Sequence, residues 1–295
     1  MTVNPRIVVG VDGSPSSTCA VRWAAETAAR HNAPLLLLSA WAIPGGYGSI
    51  GMPPSFLEDQ ETHCQRQLAE ATRVAHEAAP DAELSVTSEL ATSPAVGTLL
   101  ERSRDARIVV LGSRRLGELT AGLLGSVTSA LAHHAHSPIA VIREWPRPAD
   151  PTAQGPVVVG VDGSTNSEPA IAMAFEEASL RGVDLIAVHA WSDVNTSVPP
   201  PHDQGLPWAS LETAEQATLA ESLAGFTERY PDVTVRRVVV QDRPLRHLMS
   251  YTDTAQLLVV GSHGRGGFTS MLLGSTSTAL LHVAECPLLI VRNRH

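Results

Sequence analysis

Two glycine-rich segments of this chain follow short apolar runs and end in a Gly-Ser pair that opens a helical pattern. In the second half, the run at 257–261 leads to Gly264, and Gly274-Ser275 follow after nine residues. Glycines let a backbone turn tightly and approach a ligand closely, and the free amides at a helix N-terminus favour an anion. The spacing Gly-x2-Gly-x9-Gly-Ser therefore predicts a phosphate site. Its candidate residues are Gly261, Ser262, His263, Gly264, Arg265, Gly266, Gly267, Gly274 and Ser275.

Three side chains of this segment bear on its chemistry. Arg265 can add positive charge for a phosphate, and the hydroxyl of Ser275 can donate to the same group. His263 is a candidate to contact phosphate or to act as an acid or base, and a solvated loop histidine is the competing interpretation. Tight turning alone would explain a lone pair of glycines, but the full spacing after a strand favours phosphate binding.

The first half repeats this segment with one departure. Arg115 stands where the second half has Gly264, and an arginine there would either block the phosphate cradle or supply charge to it. The first site is therefore predicted to bind more weakly than the second. Its candidate residues are Gly112, Ser113, Arg115, Gly117, Gly125 and Ser126.

An aspartate motif recurs with the glycine segments. The string VVGVDGS occupies 8–14 and 158–164, which places Asp12 and Asp162 directly after apolar runs. The aspartates lie 150 positions apart, and Gly125 and Gly274 lie 149 apart. A period this long is a whole domain, so the chain is predicted to contain two copies of one fold. Stabilising a strand-to-helix turn is the alternative role for each aspartate, and even then its position would line the site.

Strand and helix patterns alternate in both halves. Continuous apolar runs such as 35–41 and 185–191 predict strands covered on both faces, and helical periodicities lie between them. This alternation predicts an α/β protein with two tandem Rossmann-like domains, each a five-stranded parallel sheet with helices on both faces. We expect domains at 1–144 and 156–295 and a proline-rich linker at 145–155. In such sheets, ligands bind beyond the carboxyl ends of the strands, where the strand order reverses.

Composition excludes several classes of function. The formal charge of −9 argues against a nucleic-acid or membrane-surface binder, and the segment at 1–6 has no signal-peptide pattern, so a cytoplasmic location is expected. All 21 basic residues are arginine, which excludes a Walker A lysine and Schiff-base chemistry. The three cysteines are widely spaced, so neither a disulfide framework nor a metal site is predicted.

Together these residues resemble the universal stress proteins in their tandem two-domain form. The resemblance covers essentially the whole chain. It rests on the following residues: Asp12, Asp162, Gly261, Gly264, Gly274, Ser275, and the prolines that open the last strands, Pro138 and Pro287.

The family's ATP-binding branch carries this glycine signature, so the resemblance implies that each domain binds ATP, with or without Mg²⁺. It implies that adenine and ribose lie near Asp12 with Ala40 and near Asp162 with Ala190, while the glycine loop holds the phosphates. Gly10 and Gly160 are expected to give the nucleotide room. Asp193, just after the second strand of the second half, is a further candidate to line the site, or it is a simple loop carboxylate.

The predicted function is a nucleotide-dependent regulator of stress response or growth arrest, acting through a downstream protein partner that the sequence does not identify. The alternative is a slow ATPase or nucleotide-transfer enzyme that uses the same pocket; no catalytic residues are assigned. Family members often associate through the last strand, which implies that the two domains pair with each other and that two chains form a homodimer.

Overall fold

The structure is a computed structural model that describes residues 4–42, 54–113, 125–143, 155–191, 208–265 and 272–292. The chain divides into two compact units, essentially Met1–Pro146 and Arg147–Asn293. The predicted linker at 145–155 lies outside the described residues except for its last position, so its limits stay a prediction.

The first domain alternates strands and helices in the predicted order. The elements are β1 (Arg6–Gly10), α1 (Pro15–Arg30), β2 (Leu35–Ala40), α2 (Pro54–Ala78), β3 (Val86–Ala91), α3 (Ala95–Arg102), β4 (Ala106–Ser113), α4 (Ser126–His134) and β5 (Ile139–Arg143). The sheet has the strand order β3-β2-β1-β4-β5, and the neighbouring strands run parallel.

The second domain repeats this topology. Its elements are β6 (Val157–Val161), α5 (Glu168–Arg181), β7 (Leu185–Ala190), α6 (Trp208–Arg229), β8 (Val235–Val240), α7 (Pro244–Met249), β9 (Leu257–Gly261), α8 (Ser275–Val283) and β10 (Leu288–Val291). The strand order is β8-β7-β6-β9-β10, and neighbouring strands are again parallel.

The predicted fold class is confirmed in each domain. The central strands are buried on both sides, as Ile7, Val8 and Val9 show in β1, because helices cover both faces of a parallel sheet. Helices α1 and α2 pack together against the sheet, and α3 packs with α4. One feature was not predicted: a 3-10 turn at Thr165–Ser167 precedes α5, whereas α1 begins directly at Pro15.

The strand order reverses beside the first strand of each domain. From β6 the chain builds β7 and β8 on one side, then returns to place β9 on the other. The loops after β6 and β9 therefore leave the sheet in opposite directions and open a crevice between them. The corresponding crevice in the first domain lies between the ends of β1 and β4.

Candidate functional site

Asp162 stands at the end of β6, where its carboxylate is held by the turn that follows. Its Oδ1 accepts hydrogen bonds from the Ser164 amide at 2.9 Å and from the Ser164 hydroxyl at 2.8 Å. Asp12 makes the same pair with Ser14, at 2.9 and 2.6 Å. Both aspartates therefore stabilise the turn that follows them. The same hydrogen bonds hold each carboxylate at the edge of the crevice.

The glycine loop of the second domain lies directly against Asp162. A Cβ atom added to Gly264 would stand 3.2 Å from Asp162 Oδ2, which is tighter than ordinary van der Waals contact. Glycine at this position lets the loop backbone approach the aspartate. The structure thus brings together two residues that are 102 positions apart in sequence and that the family resemblance assigns to one ligand site.

The N-terminus of α8 is fastened to the same loop. The Gly274 amide donates to the Ser262 carbonyl at 2.7 Å, and the Ser277 hydroxyl donates to the Gly261 carbonyl at 2.7 Å. Gly274 is the N-cap residue, and no side chain among the described residues caps the helix there. The first-turn amides from Ser275 onward are therefore suited to a ligand that accepts hydrogen bonds.

Ser262 bonds the start of the loop to the sheet, and its side chain contacts that of His263. The Ser262 amide donates to the Val291 carbonyl at 2.7 Å, and its hydroxyl lies 3.0 Å from His263 Nδ1. Ser262 is buried, so its first role is to anchor the start of the loop.

Arg265 reaches from the loop towards a pair of residues that sequence reasoning missed. Its guanidinium lies over Gly163, whose φ of +73° is the left-handed conformation that glycine tolerates. Arg265 Nη1 is 3.7 Å from Glu215 Oε2, and the same carboxylate oxygen is 2.7 Å from Nε2 of His189. A signal was present in the sequence, because His189 interrupts an otherwise apolar strand one position before Ala190.

The first-domain crevice is built from different contacts. Gly112, the residue before the last of β4, packs against the start of α1: a Cβ there would stand 2.5 Å from the Ser16 carbonyl carbon. The Gln67 side chain donates to the Asp12 carbonyl at 2.9 Å and lies over Gly13, as Arg265 lies over Gly163. Ser113 is buried at the end of β4.

The remaining predicted residues lie at or near the ends of strands, at the start of a helix or outside the described residues. Ala40 and Ala190 end β2 and β7, Gly125 is the N-cap residue of α4, and Ser126 is the first residue of that helix. Gly10 and Gly160 have a packing reason that was not predicted: an added Cβ would meet Leu111 at 3.0 Å in one case and Leu248 at 3.3 Å in the other. The following predicted residues lie outside the described residues: Arg115, Gly117, Asp193, Gly266 and Gly267.

Each of the two domains is an α/β domain with a parallel sheet and a crevice where the strand order reverses, and this architecture defines the structural class of the chain. A family model described as the universal stress protein family matches residues 4–143 and 155–292. Universal stress protein Rv2005c of Mycobacterium tuberculosis is 48% identical over 288 residues, covering 97% of this chain and 96% of that protein. Universal stress protein Rv1996 of the same species is 43% identical over 305 residues, covering 98% and 95%.

A solved structure of a universal stress protein from Archaeoglobus fulgidus has the same fold, with a TM-score of 0.72, 16% identity and full coverage of both chains. The chain belongs to the universal stress protein family and contains two tandem domains of it. The family resemblance is thereby confirmed, while membership of its ATP-binding branch stays a prediction. In the part of the chain that the structure describes, no helix is long and apolar enough to span a membrane.

Proposed function

We propose that this protein is a nucleotide-dependent regulator that binds ATP, with its principal site in the second-domain crevice. One observation carries the proposal: Gly264 lies against Asp162, and Gly274 at the N-terminus of α8, which no described side chain caps, is held beside Gly264. That arrangement offers a carboxylate for hydroxyl groups and backbone amides for phosphates within one crevice.

Different residues of the crevice would contact the ribose, the adenine and the phosphates of ATP. Two hydrogen-bond donors come to Asp162 from Ser164, and a carboxylate has about four lone-pair sites, so capacity is left for ribose hydroxyls. The adenine would lie near the backbone at Ala190, as the family resemblance implies. The phosphates would lie along the loop from Gly264 to the first turn of α8, with Arg265 adding charge and Mg²⁺ as an optional counterion.

Nucleotide content tests this assignment. Freshly purified protein is denatured, and the released nucleotide is identified by mass and counted per chain. We expect ATP, and we expect Gly264→Arg, which copies the first half, to remove the second-domain share because the side chain would fill the space beside Asp162. Gly225→Arg is the matched control, since a Cβ at Gly225 meets nothing within 4 Å. Absence of nucleotide in the isolated protein, together with no binding on titration, would refute the proposal.

An enzyme using the same pocket is the alternative, and His263 is the residue that favours it because an imidazole lies inside the proposed phosphate loop. Single-turnover hydrolysis of bound ATP separates the two functions. Hydrolysis that disappears in Asp162→Ala would support the enzyme, whereas residual hydrolysis at the same rate in that variant would indicate a contaminant.

The same proposal includes a cytoplasmic location, pairing of the two domains through their last strands and a homodimer. A regulator would use ATP binding to shift a conformational or oligomeric equilibrium that a partner protein recognises. Sedimentation with and without ATP measures this directly, and a monomer at every concentration would contradict the homodimer.

A further inference from the structure

We propose that His189 and Glu215 share one proton as a net-neutral pair, and that this pair leaves the positive charge of Arg265 available to the phosphates of the ligand. The inference deepens the proposed function and rests on it, because it gives a positioning role at the second-domain site to two residues outside the glycine signature.

The hydrogen-bond geometry around His189 indicates which nitrogens of its ring carry a proton. The side chain is fully buried, its Nδ1 lies 2.9 Å from the Val161 carbonyl oxygen, and its Nε2 lies 2.7 Å from Glu215 Oε2. A carbonyl oxygen can only accept a hydrogen bond, so Nδ1 carries a proton. A neutral imidazole would then present a bare lone pair to the carboxylate.

Two lone pairs cannot face each other at 2.7 Å, so the contact between Nε2 and Oε2 requires a proton. With that proton on the ring, the pair is an imidazolium and a carboxylate; with it on the carboxyl group, both partners are neutral. The net charge is zero in either case. Burial of His189 raises the cost of leaving an unpaired charge there, which favours this neutral arrangement.

The consequence falls on Arg265. Its guanidinium is 3.7 Å from Glu215 Oε2, beyond hydrogen-bond length, and its side chain is 42% exposed. A carboxylate already neutralised by His189 attracts Arg265 weakly, whereas an unneutralised one would hold it as a full counter-ion. Two further titratable groups among the described residues lie close to this part of the site: Asp162, against which Gly264 packs, and His263, two positions before Arg265 in the loop.

Comparison of the two domains supports a joint role for the three side chains. By the repeat register of β2 and β7, Ser39 replaces His189. Gln67 and Thr218 both lie against the glycine after the aspartate, which aligns α2 with α6 and places Cys64 where Glu215 stands. In the loop, Leu116 replaces Arg265. The first domain therefore lacks all three groups at the matching positions, as expected if they act together.

Isotope-edited NMR tests the proton count without any ligand. Nitrogen-15 shifts of the His189 ring and the carbon-13 shift of the Glu215 carboxyl carbon are measured at neutral pH, with assignments from His189→Gln and Glu215→Gln. We expect the pair to carry the extra proton, on either partner. A neutral ring beside an ionised carboxylate would overturn the proposal.

Titration with two probes, ATP and inorganic tripolyphosphate, tests the consequence for anion binding. We expect His189→Gln to weaken tripolyphosphate binding about threefold to tenfold, since one partly exposed charge becomes neutralised by Glu215. Adding Glu215→Gln to that variant should restore binding, because the competing carboxylate is gone. In an Arg265→Gln background, His189→Gln should have no further effect on affinity.

These outcomes separate a positioning role from a structural one. If His189→Gln weakened binding equally with and without Arg265, or if the double variant with Glu215→Gln stayed weak, the residues would only support the fold. Tripolyphosphate binding without any preference for ATP would refute the proposed nucleotide function and leave this inference standing. If ATP bound and His189→Gln left its affinity unchanged, the proposed nucleotide function would stand and this inference would be refuted.

Discussion

The two domains share one topology and one aspartate turn, yet their crevices are built by different means. In the second domain, Gly264 lets the loop approach Asp162, and the ionisable side chains of His189, Glu215 and Arg265 lie near one another at the same corner. In the first domain, Gly112 packs against the backbone of α1, and the Gln67 side chain covers the turn at Asp12 and Gly13. Duplication has preserved the scaffold while the side chains that would hold a ligand have diverged, so the two sites should be tested as unequal partners.

The largest expected difference concerns two matching glycines, Gly112 near the end of β4 and Gly261 at the end of β9. Gly112→Ala should destabilise the first domain by about 3 kcal/mol, because the new Cβ would collide with backbone atoms of Ser16 and Ser17 that cannot rotate away. Gly261→Ala should cost only about 1 kcal/mol, since its Cβ would meet the nearest atom, the His263 carbonyl oxygen, at 3.2 Å.

Urea unfolding of the two single variants measures both values. Equal losses would show that the close approach of α1 to Gly112 is not a distinguishing feature of the first domain. Gly97→Ala, in α3 with open space around its Cβ, controls for the change in backbone entropy.

The second comparison is the reverse of the Gly264→Arg experiment. Arg115→Gly completes the glycine signature of the first half, and we expect its affinity for ATP to rise about tenfold if the arginine side chain blocks the phosphate cradle. Isothermal titration in a Gly264→Arg background isolates the first site. A loss of affinity would show instead that Arg115 supplies charge to the ligand, and the sites would then differ in mechanism and not merely in strength.

A third difference lies in the buried segment before the last strand of each domain. Cys286 stands there in the second domain and Ser137 in the first, and burial raises the pKa of the Cys286 thiol from an ordinary value of 9.0 to about 12. A raised pKa in the folded state contributes stability that is complete below pH 9.0 and is lost as pH rises towards 12.

We therefore expect the second domain to lose about 1 kcal/mol between pH 8 and pH 10 through this thiol, as the unfolded chain ionises first. Cys286→Ala should flatten that part of its stability profile. Urea unfolding at the two pH values measures the change, and an identical pH slope in the variant would contradict the assignment to Cys286.

Much of the fold was predictable because its signals are local. The apolar run at 257–261 corresponds to β9 without a shift, since a buried parallel strand is encoded by consecutive apolar residues. The aspartates and glycines were placed near the crevice by their motifs. His189 and Glu215 were missed because their relation is tertiary: only the folded chain brings the Glu215 carboxylate of α6 to the His189 ring of β7.

The smallest expected effect concerns an ion pair found in the first domain. Arg102 of α3 forms two hydrogen bonds with the Glu89 carboxylate of β3, at 2.9 and 2.7 Å, and Glu89 raises the pKa of Arg102. In the repeat register of β3 and β8, Val238 takes the place of Glu89, so this pairing does not recur at that position. The pair joins the edge strand to the helix that packs beside the crevice, and its bidentate geometry makes it stronger than an ordinary surface contact.

Because both side chains are about one-third exposed, solvent screening keeps the contribution small. Glu89→Gln should cost about 0.5 kcal/mol at low ionic strength and less in high salt, whereas Val238→Thr should show no such salt dependence. Urea midpoints at two salt concentrations measure this. A salt-independent loss for Glu89→Gln would mean that the carboxylate acts through packing, and the two edge strands would then be held in the same way despite their different sequences.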